Sequence, residues 1–261
     1  MITSTSNGQV KQVMNLLNKA KSRRENKSFV VEGVKMVSEA PKDRLEKIYV
    51  SESFAKNHKN GPDGIQWDDS RVEIVSDNVF KQMSDTKTPQ GIMAIVKMQE
   101  SSLDEIVGGD KAFVMVCEDL QDPGNLGTII RTGEGAGISG VILTKNTVDV
   151  YNPKTIRSTM GSLYRVPFLY TDNLPEIIGQ MKLLGVTVYA AHLNGNNSYA
   201  KENYSGKCAF LIGNEGNGLK DETAALADRL VKIPMEGQVE SLNAAVSSAV
   251  IMYEVNRQRR G

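Results

Sequence analysis

In the first hundred residues, segments with apolar residues at helical spacing alternate with short continuous apolar runs that are typical of strands. In the segment 10–28, apolar residues recur at helical spacing, so that Val10, Val13, Leu16 and Leu17 would share one face of a helix. Short apolar runs follow, separated by further helical segments, and Asp77 is placed to cap one of the helices. The pattern predicts helices at 10–28, 34–40, 54–58 and 77–85 and strands at 29–33, 45–53, 72–76 and 91–98.

A polar stretch that begins at Gln99 interrupts this pattern, and a second series follows it. We therefore expect a domain at 1–98, a linker at 99–109 and a second domain at 110–261. Apolar runs that alternate with helices are typical of a parallel sheet covered on both faces, which makes the second domain α/β. Its strands are predicted at 112–118, 140–144, 187–192, 208–213 and 229–233.

Composition narrows the functional classes. A chain of 261 residues with 40% hydrophobic and 24% charged residues can form an ordinary globular core. Cys117 and Cys208 lie in apolar runs without a C-x-x-C pair, so both are predicted to be buried thiols. His58 and His192 lack metal-ligand spacing, and no metal is expected. No apolar run approaches the roughly 18 residues of a membrane span, and a cytoplasmic location is predicted.

Charge is balanced overall but uneven along the chain. The 31 basic and 31 acidic residues cancel, yet Lys21, Arg23, Arg24 and Lys27 place four positive charges within seven residues. Such a segment can bind RNA phosphates on a neutral protein, or it can be the solvated face of a helix. The residues alone leave both interpretations open.

A glycine-rich stretch at 135–140 matches the G-x-G-x-x-G pattern of dinucleotide-binding folds. In those folds the motif follows a strand and opens a helix, whereas here it follows a predicted helix and precedes a strand. Gly135 and Gly137 are therefore predicted to end that helix. The order argues against a nicotinamide oxidoreductase, and no P-loop sequence occurs.

Three segments of the second domain carry polar side chains beside glycine or small residues. In 119–137, Asn125 is predicted to cap a helix that carries Arg131. In 211–219, three glycines follow a strand and would let the backbone approach a ligand, while Glu215 is not needed to make the turn. Ligands of open α/β sheets bind at such carboxyl ends.

The third segment, 232–258, leads from a strand through a loop into a helix rich in small residues. Ser241 is predicted to cap this helix, which places Leu242 and Asn243 at its start, where backbone N–H groups point outward. Each segment also has a plainer interpretation: a cap with a surface side chain, a glycine turn, or a buried helix.

Together and in this order, the three segments closely resemble the motifs of the SpoU (TrmH-like) branch of the SPOUT methyltransferases. The matching stretches are N-x-G-x-x-x-R from Asn125 to Arg131, G-N-E-G from Gly213 to Gly216, and I-P-M with S-L-N between Ile233 and Asn243. The segments 21–33 and 88–96 are similar to that family's substrate-binding domain. The resemblance spans nearly the whole chain.

The resemblance implies a fold and a function. The second domain would contain a deep trefoil knot, the first would be a small α/β domain like a ribosomal protein, and the chain would form a homodimer. The implied reaction is 2′-O-ribose methylation of RNA by S-adenosylmethionine, with 23S ribosomal RNA as the favoured substrate. A tRNA methyltransferase and a non-catalytic, ribosome-associated RNA-binding protein are the alternatives.

The resemblance also implies roles for individual residues. Arg131 would position the ribose and stabilise the forming alkoxide, because a guanidinium stays protonated. Glu215 and Asn243 would orient Arg131 and the ribose, with Asn125 and Ser241 beside them, and whether Glu215 itself takes the proton stays open. The expected cofactor contacts are Gly213, Asn214, Gly216, Ile233, Met235 and Leu242. The expected RNA contacts are Lys21, Arg23, Arg24, Lys27 and Arg157.

Overall fold

The structure is a computed structural model that describes residues 1–193, 195 and 197–260. Its contacts divide the chain into two compact units. The first comprises residues 1–99 and 151–164, and the second comprises residues 100–150 and the chain from Arg165 onward. The segment 151–164 thus packs with the first unit, although the sequence places it within the second domain.

The helices and strands alternate along the chain. The helices are α1 (Gly8–Asn18), α2 (Ala20–Asn26), α3 (Val34–Ser38), α4 (Glu52–Asn57), α5 (Asp77–Met83), α6 (Leu103–Val107), α7 (Pro123–Ala136), α8 (Pro153–Thr159), α9 (Leu174–Leu183), α10 (Asp221–Ala224) and α11 (Ala244–Arg260). The strands are β1 (Ser28–Glu32), β2 (Leu45–Ser51), β3 (Val72–Val75), β4 (Ile92–Lys97), β5 (Phe113–Cys117), β6 (Gly140–Thr144), β7 (Phe168–Thr171), β8 (Thr187–Ala191), β9 (Asn197–Ser198), β10 (Cys208–Ile212) and β11 (Arg229–Lys232).

The first unit is built on a four-stranded mixed sheet in the order β1-β4-β2-β3. Its α1 buries Val10, Val13, Leu16 and Leu17 in a core with residues of the sheet, which confirms the predicted helix face. The single helix predicted over 10–28 is wrong, because the backbone is extended at Lys19 (φ −127°, ψ 111°) and α2 starts afresh after it.

Arg23 explains why the chain turns between α1 and α2. Its side chain is buried (4% exposed), and its guanidinium donates hydrogen bonds to the carbonyl oxygens of Leu16 (2.7 Å) and Leu17 (3.1 Å). These carbonyls belong to the last turn of α1, which lacks helical partners for them and carries partial negative charge. The prediction that Arg23 contacts RNA is therefore wrong, because its donors are used inside the fold.

Two predicted helix caps are displaced. Asp77 does not cap α5, because its carboxylate accepts hydrogen bonds from the backbone N–H (3.1 Å) and hydroxyl (2.8 Å) of Ser53. Asn125 does not cap α7 either. The cap is Asp122, which accepts from the backbone N–H of Asn125 at 2.9 Å, with Pro123 as the first helical residue.

The second unit is built on seven parallel strands in the order β7-β6-β5-β10-β8-β11-β9. All five predicted strands are present, whereas β7 and the two-residue β9 were not predicted. The α/β parallel-sheet class is confirmed, and the trefoil knot stays a prediction. Because β10 lies beside β5, with Ile212 opposite Cys117, the loops that follow these two strands start side by side.

Local features of this unit match several sequence inferences. Gly137 ends α7 in the left-handed conformation (φ 83°), which confirms the helix end in place of a dinucleotide motif. Both cysteines are buried and free, and burial raises the pKa of each thiol to about 12.

The span predicted as a linker contains the helix α6. Its buried Ile106 packs closely against Gly140, because a Cβ added at Gly140 would lie only 2.8 Å from the Ile106 side chain. No helix of the described residues is both long enough and apolar enough to traverse a lipid bilayer.

Replacing Arg23 tests its structural role. We expect Arg23→Met to destabilise the first unit by about 2 kcal/mol, because hydrogen bonds from a charged donor to buried carbonyls are worth about 1.5–3 kcal/mol. Arg24→Met is the matched control, since Arg24 is the exposed neighbour. Urea denaturation followed by circular dichroism measures both. Equal midpoints for the two variants would contradict the role.

Candidate active site at the carboxyl ends of the central strands

The three motif segments meet where β5, β10 and β11 end. The loop 118–122 follows β5 and leads into α7, and the loop 213–220 follows β10. The segment 233–243 follows β11 and leads into α11. Parallel strands place their carboxyl ends at one edge of the sheet, which is where open α/β sheets bind ligands.

Glu215 joins the first two loops. Its carboxylate accepts hydrogen bonds from the backbone N–H groups of Gln121 and Asp122 and from Nδ2 of Asn125, all at 3.0 Å. Gln121 and Asp122 immediately precede α7, and Asn125 lies in its first turn. The carboxylate therefore fixes the start of α7 against the loop after β10.

Asn243 brings in the third segment. Its Nδ2 donates to Oδ1 of Asn125 at 3.0 Å, and its Oδ1 accepts from the backbone N–H groups of Ala245 (2.9 Å) and Val246 (3.3 Å). Asn243 is thus the cap of α11, and the prediction that Ser241 caps it is wrong. Ser241 is exposed and forms no side-chain hydrogen bond with another described residue.

Hydrogen bonding also sets the charge state of Glu215. Burial raises the pKa of this carboxyl, but the donors of Asn125, Gln121 and Asp122 outweigh burial and leave its pKa below the ordinary value. The carboxylate is therefore ionised at neutral pH. A lowered pKa also makes it a weaker proton acceptor than an ordinary glutamate.

The glycine-rich loop after β10 is held by Asn214. Its Oδ1 accepts from the backbone N–H groups of Gly216 (2.9 Å) and Asn217 (3.1 Å), and its backbone exchanges two hydrogen bonds with Gly218. At position 213, a Cβ would overlap the carbonyl carbon of Gly218, so only glycine permits this return of the chain. These hydrogen bonds close the loop between Asn214 and Gly218.

The segment after β11 offers a surface for a nucleoside cofactor. Ile233, Met235 and Leu242 are half-buried. No backbone N–H or C=O between Ile233 and Leu242 hydrogen-bonds to another described residue. Apolar side chains beside free backbone donors and acceptors are what a purine ring and its polar edge require. These residues fit S-adenosylmethionine.

Arg131 is exposed on α7 and stands apart from this network. Its side chain forms no ion pair or hydrogen bond with any described residue, and the nearby Glu134 is paired with Arg165. The expected orientation of Arg131 by Glu215 and Asn243 is therefore not seen, since both side chains hold Asn125. All the guanidinium donors of Arg131 are available to a substrate.

The expected RNA contacts other than Arg23 lie on the surface of the first unit. Lys21, Arg24 and Lys27 are exposed, and Lys21 is 3.7 Å from Glu25. Arg157, on α8, donates to Oδ2 of Asp85 at 2.6 Å. Their contact with RNA stays a prediction. In the described part of the chain, no group of three His, Cys, Asp or Glu side chains could hold a metal ion.

Comparison with known proteins gives this site a family. The sequence model of the SpoU rRNA Methylase family matches residues 112–253, and that of the MRM3-like substrate binding domain matches residues 7–94. The chain belongs to the SpoU rRNA methylase family. This confirms the family inferred from the three motifs.

Individual relatives of this SpoU chain match along nearly their whole length. The 23S rRNA (guanosine(2553)-2′-O)-methyltransferase RlmP of Bacillus subtilis is 34% identical over 97% of the chain and 98% of its own length. The AdoMet-bound rRNA methyltransferase from Sinorhizobium meliloti is 33% identical, with a TM-score of 0.84 over 98% of this chain and 97% of that one. AviRb of Streptomyces viridochromogenes in complex with AdoMet is 26% identical, with a TM-score of 0.85 over 98% and 99%.

Three charged side chains beside the site were not among the residues expected from the sequence of this SpoU chain. Lys220 Nζ lies 2.9 Å from Oδ2 of Asp119 and 3.6 Å from Oε1 of Glu118. Asp119 follows β5 by two residues and Lys220 ends the loop after β10, so their opposite charges were a usable signal. It could be used only once β5 and β10 were known to be adjacent.

Glu215→Gln tests the carboxylate as the common acceptor. The glutamine amide would place an NH2 group, which is itself a donor, against the donors of Gln121, Asp122 and Asn125, so at least one of these hydrogen bonds would be lost. We expect E215Q to destabilise the second unit by at most about 1 kcal/mol, because solvent screens hydrogen bonds to an exposed charge. Urea denaturation at neutral pH measures this, and Glu222→Gln, at an exposed glutamate of α10 without a described partner, is the control.

The pH dependence of this difference has a definite sign. Because the folded-state pKa of Glu215 is lowered, its stabilisation is present above the ordinary glutamate pKa and is lost as pH falls through the folded value. The gap between wild type and E215Q should therefore close in acid. A gap that stays constant down to pH values below the folded pKa would show that charge is not involved.

Proposed function

We propose that this chain transfers a methyl group from S-adenosylmethionine to a ribose 2′-hydroxyl of RNA, with 23S ribosomal RNA as its substrate. The observation that carries the proposal is the line of hydrogen bonds Glu215–Asn125–Asn243, which joins three separate segments beside a surface suited to a nucleoside. The function in the name of RlmP supports both the reaction and the RNA.

The loops after β10 and β11 would hold the cofactor. Gly213, Asn214 and Gly216 would contribute from one loop, and Ile233, Met235 and Leu242 from the other. When bound, S-adenosylmethionine supplies a methyl group already activated for displacement. The chain has to bind the ribose, orient its hydroxyl and exclude competing water.

Arg131 is assigned to the ribose and its phosphates. It has no described partner to give up, and a guanidinium presents several donors in one plane. Because it stays protonated, it stabilises a forming alkoxide and does not accept the proton. Glu215 is assigned as an anchor for Asn125, since its lowered pKa makes it a poor base. Ser241 is exposed in the loop before α11 and available to the substrate.

The first unit is assigned to RNA binding. The match of residues 7–94 to a substrate binding domain supports this role, and Lys21, Arg24 and Lys27 would contact phosphates. A tRNA substrate remains the alternative within the same reaction. A non-catalytic role is disfavoured by the joined Asn125, Glu215 and Asn243. The cytoplasmic location and the trefoil knot are retained as proposals.

We further propose that two copies associate through α7 and α11. These helices pack on each other, and α11 leaves Val246 (48% exposed) and Tyr253 (52% exposed) on the surface. A Cβ at Gly135 of α7 would lie 3.3 Å from the Tyr253 hydroxyl, so small residues leave this face flat. A flat face with exposed apolar side chains suits a symmetric dimer contact.

The reaction is tested with labelled S-adenosylmethionine and Arg131 variants. We expect wild type to methylate 23S rRNA at a ribose 2′-oxygen. Arg131→Ala should lower transfer at least about 100-fold while cofactor affinity stays within about threefold, since only the charge developing at the ribose is affected. Arg131→Lys should fail too, because an ammonium lacks the planar pair of donors.

Thr128→Ala, at an exposed position one turn before Arg131 on α7, is the matched control and should remain active. Substantial turnover by Arg131→Lys would contradict the positioning role. Methylation of tRNA instead of 23S rRNA would contradict the proposed substrate, and absence of cofactor binding by wild type would contradict the function.

The RNA contacts are tested by salt dependence. We expect the triple variant K21Q/R24Q/K27Q to flatten the plot of log affinity against log salt by roughly 0.7–0.9 per lost phosphate contact. Arg23 is left in place because it is structural. The control K145Q/K182Q/K201Q removes the same charge from the second unit. Slopes that match wild type would identify the three residues as a solvated helix surface.

A further inference from the structure

Asp119 has an unusual backbone conformation at the end of β5. Its φ is +53°, in the left-handed region that L-residues other than asparagine and aspartate rarely adopt. Thr144 accepts from its backbone N–H at 2.8 Å and donates to its Oδ1 at 2.8 Å, and Lys220 Nζ donates to its Oδ2 at 2.9 Å. The conformation is thus held by two side chains, one from the last residue of β6 and one from the loop after β10.

The two loops that meet at Glu215 are also both connected to Asp119. On one side, Nδ2 of Asn214 donates to the carbonyl oxygen of Asp119 at 2.9 Å, and Asn214 holds the loop that carries Glu215. On the other side, Gln121 and Asp122, whose N–H groups bind Glu215, follow Asp119 by two and three residues. A rotation of the Asp119 backbone would move the Glu215 carboxylate, which is the acceptor, and the N–H groups of Gln121 and Asp122, which are its donors, in different directions.

Lys220, in the loop after β10, holds Asp119 in place through its side chain. Its ammonium pairs with Asp119 and lies 3.6 Å from the buried carboxylate of Glu118, while its backbone N–H donates to Glu118 at 3.0 Å. Lys220 is the second residue after Gly218, so it closes the same loop that Asn214 opens. The side chain is 52% exposed, and its removal leaves no cavity in the core.

We propose that Lys220 and Asp119 are positioning residues for methyl transfer: together they fix the Glu215 carboxylate, and through it the Asn125–Asn243 pair beside the proposed nucleoside surface. The inference rests on the proposed function and deepens it. Neither residue touches the substrate, and each acts through Glu215. Loss of the pair would leave the loops folded, because Glu118, Asn214 and Gly218 still connect them.

Two variants separate the effect of the Lys220 charge from that of its aliphatic side chain. Lys220→Met removes the charge and keeps an apolar side chain of similar length, whereas Lys220→Arg keeps the charge. We expect K220M to lower kcat about tenfold, since a misplacement of about 1 Å at a reacting group can cost up to 100-fold. KM for RNA and cofactor affinity should change less than about threefold, because Lys220 touches neither ligand and the backbone hydrogen bonds between Asn214 and Gly218 still close the loop. K220R keeps a donor within reach of Asp119 and should recover most of the rate.

A second measurement does not depend on activity. In the cofactor-free chain, amide hydrogen exchange at Gln121, Asp122, Gly216 and Asn217 should be faster in K220M than in wild type, because their acceptors on Glu215 and Asn214 are no longer held. Lys182→Met is the matched control. Lys182 is a 36%-exposed lysine of the same unit, paired with Asp228 at 2.7 Å.

The outcomes are distinct. A fall in kcat with recovery in K220R and faster exchange at the four amides supports the inference. Wild-type kcat in K220M overturns it, and so does a loss of activity that only follows the unfolded fraction or the cofactor affinity. Absence of transfer by wild type overturns the proposed function and this inference with it, whereas an active wild type with an unaffected K220M overturns the inference alone.

Discussion

The carboxylate of Glu215 is the acceptor on which the candidate site depends. It occupies the gap between two loops that start side by side only because β10 lies next to β5. Its three donors come from the approach to α7 and from the first turn of that helix. Since a charged acceptor strengthens each of these hydrogen bonds, one side chain fixes the direction in which α7 leaves the sheet. Asn125, held by Glu215, in turn accepts a hydrogen bond from Asn243, which caps α11.

Backbone constraints make that arrangement possible. The loop after β10 returns on itself within six residues, which excludes any side chain at Gly213 and leaves Asn214 to satisfy the N–H groups of the turn. Buried charge has a similar role in the first unit, where Arg23 neutralises the end of α1. In both units, polar groups that the strands and helices leave unsatisfied are used to join one element to the next.

Periodicity was sufficient to predict elements whose pattern is local. The buried face of α1, five of the seven strands of the second sheet and the end of α7 at Gly137 all follow from spacing or from one glycine. Capping residues could not be placed, because Asp122, Asn125, Ser241 and Asn243 are all plausible caps until the start of each helix is known. Arg23 was misassigned for a similar reason: a positive charge in sequence does not reveal whether it faces solvent or a carbonyl. The Asp119–Lys220 pair required the strand order, which depends on contacts between residues a hundred positions apart.

The segment 151–164 gives the chain an unusual connection between its units. Within the first unit, the ring of Tyr151 packs at a tilt of 35° against that of Phe29, with centroids 4.4 Å apart, and the Tyr164 hydroxyl donates to the carbonyl oxygen of Met36 at 2.8 Å. The polypeptide therefore passes between the units at three places, 99/100, 150/151 and 164/165. A gene fusion that joined either unit to a new partner at residue 99 would strip the first unit of Tyr151, Arg157 and Tyr164. Recombination of the first unit during evolution is thus restricted to exchanges that carry the inserted segment along.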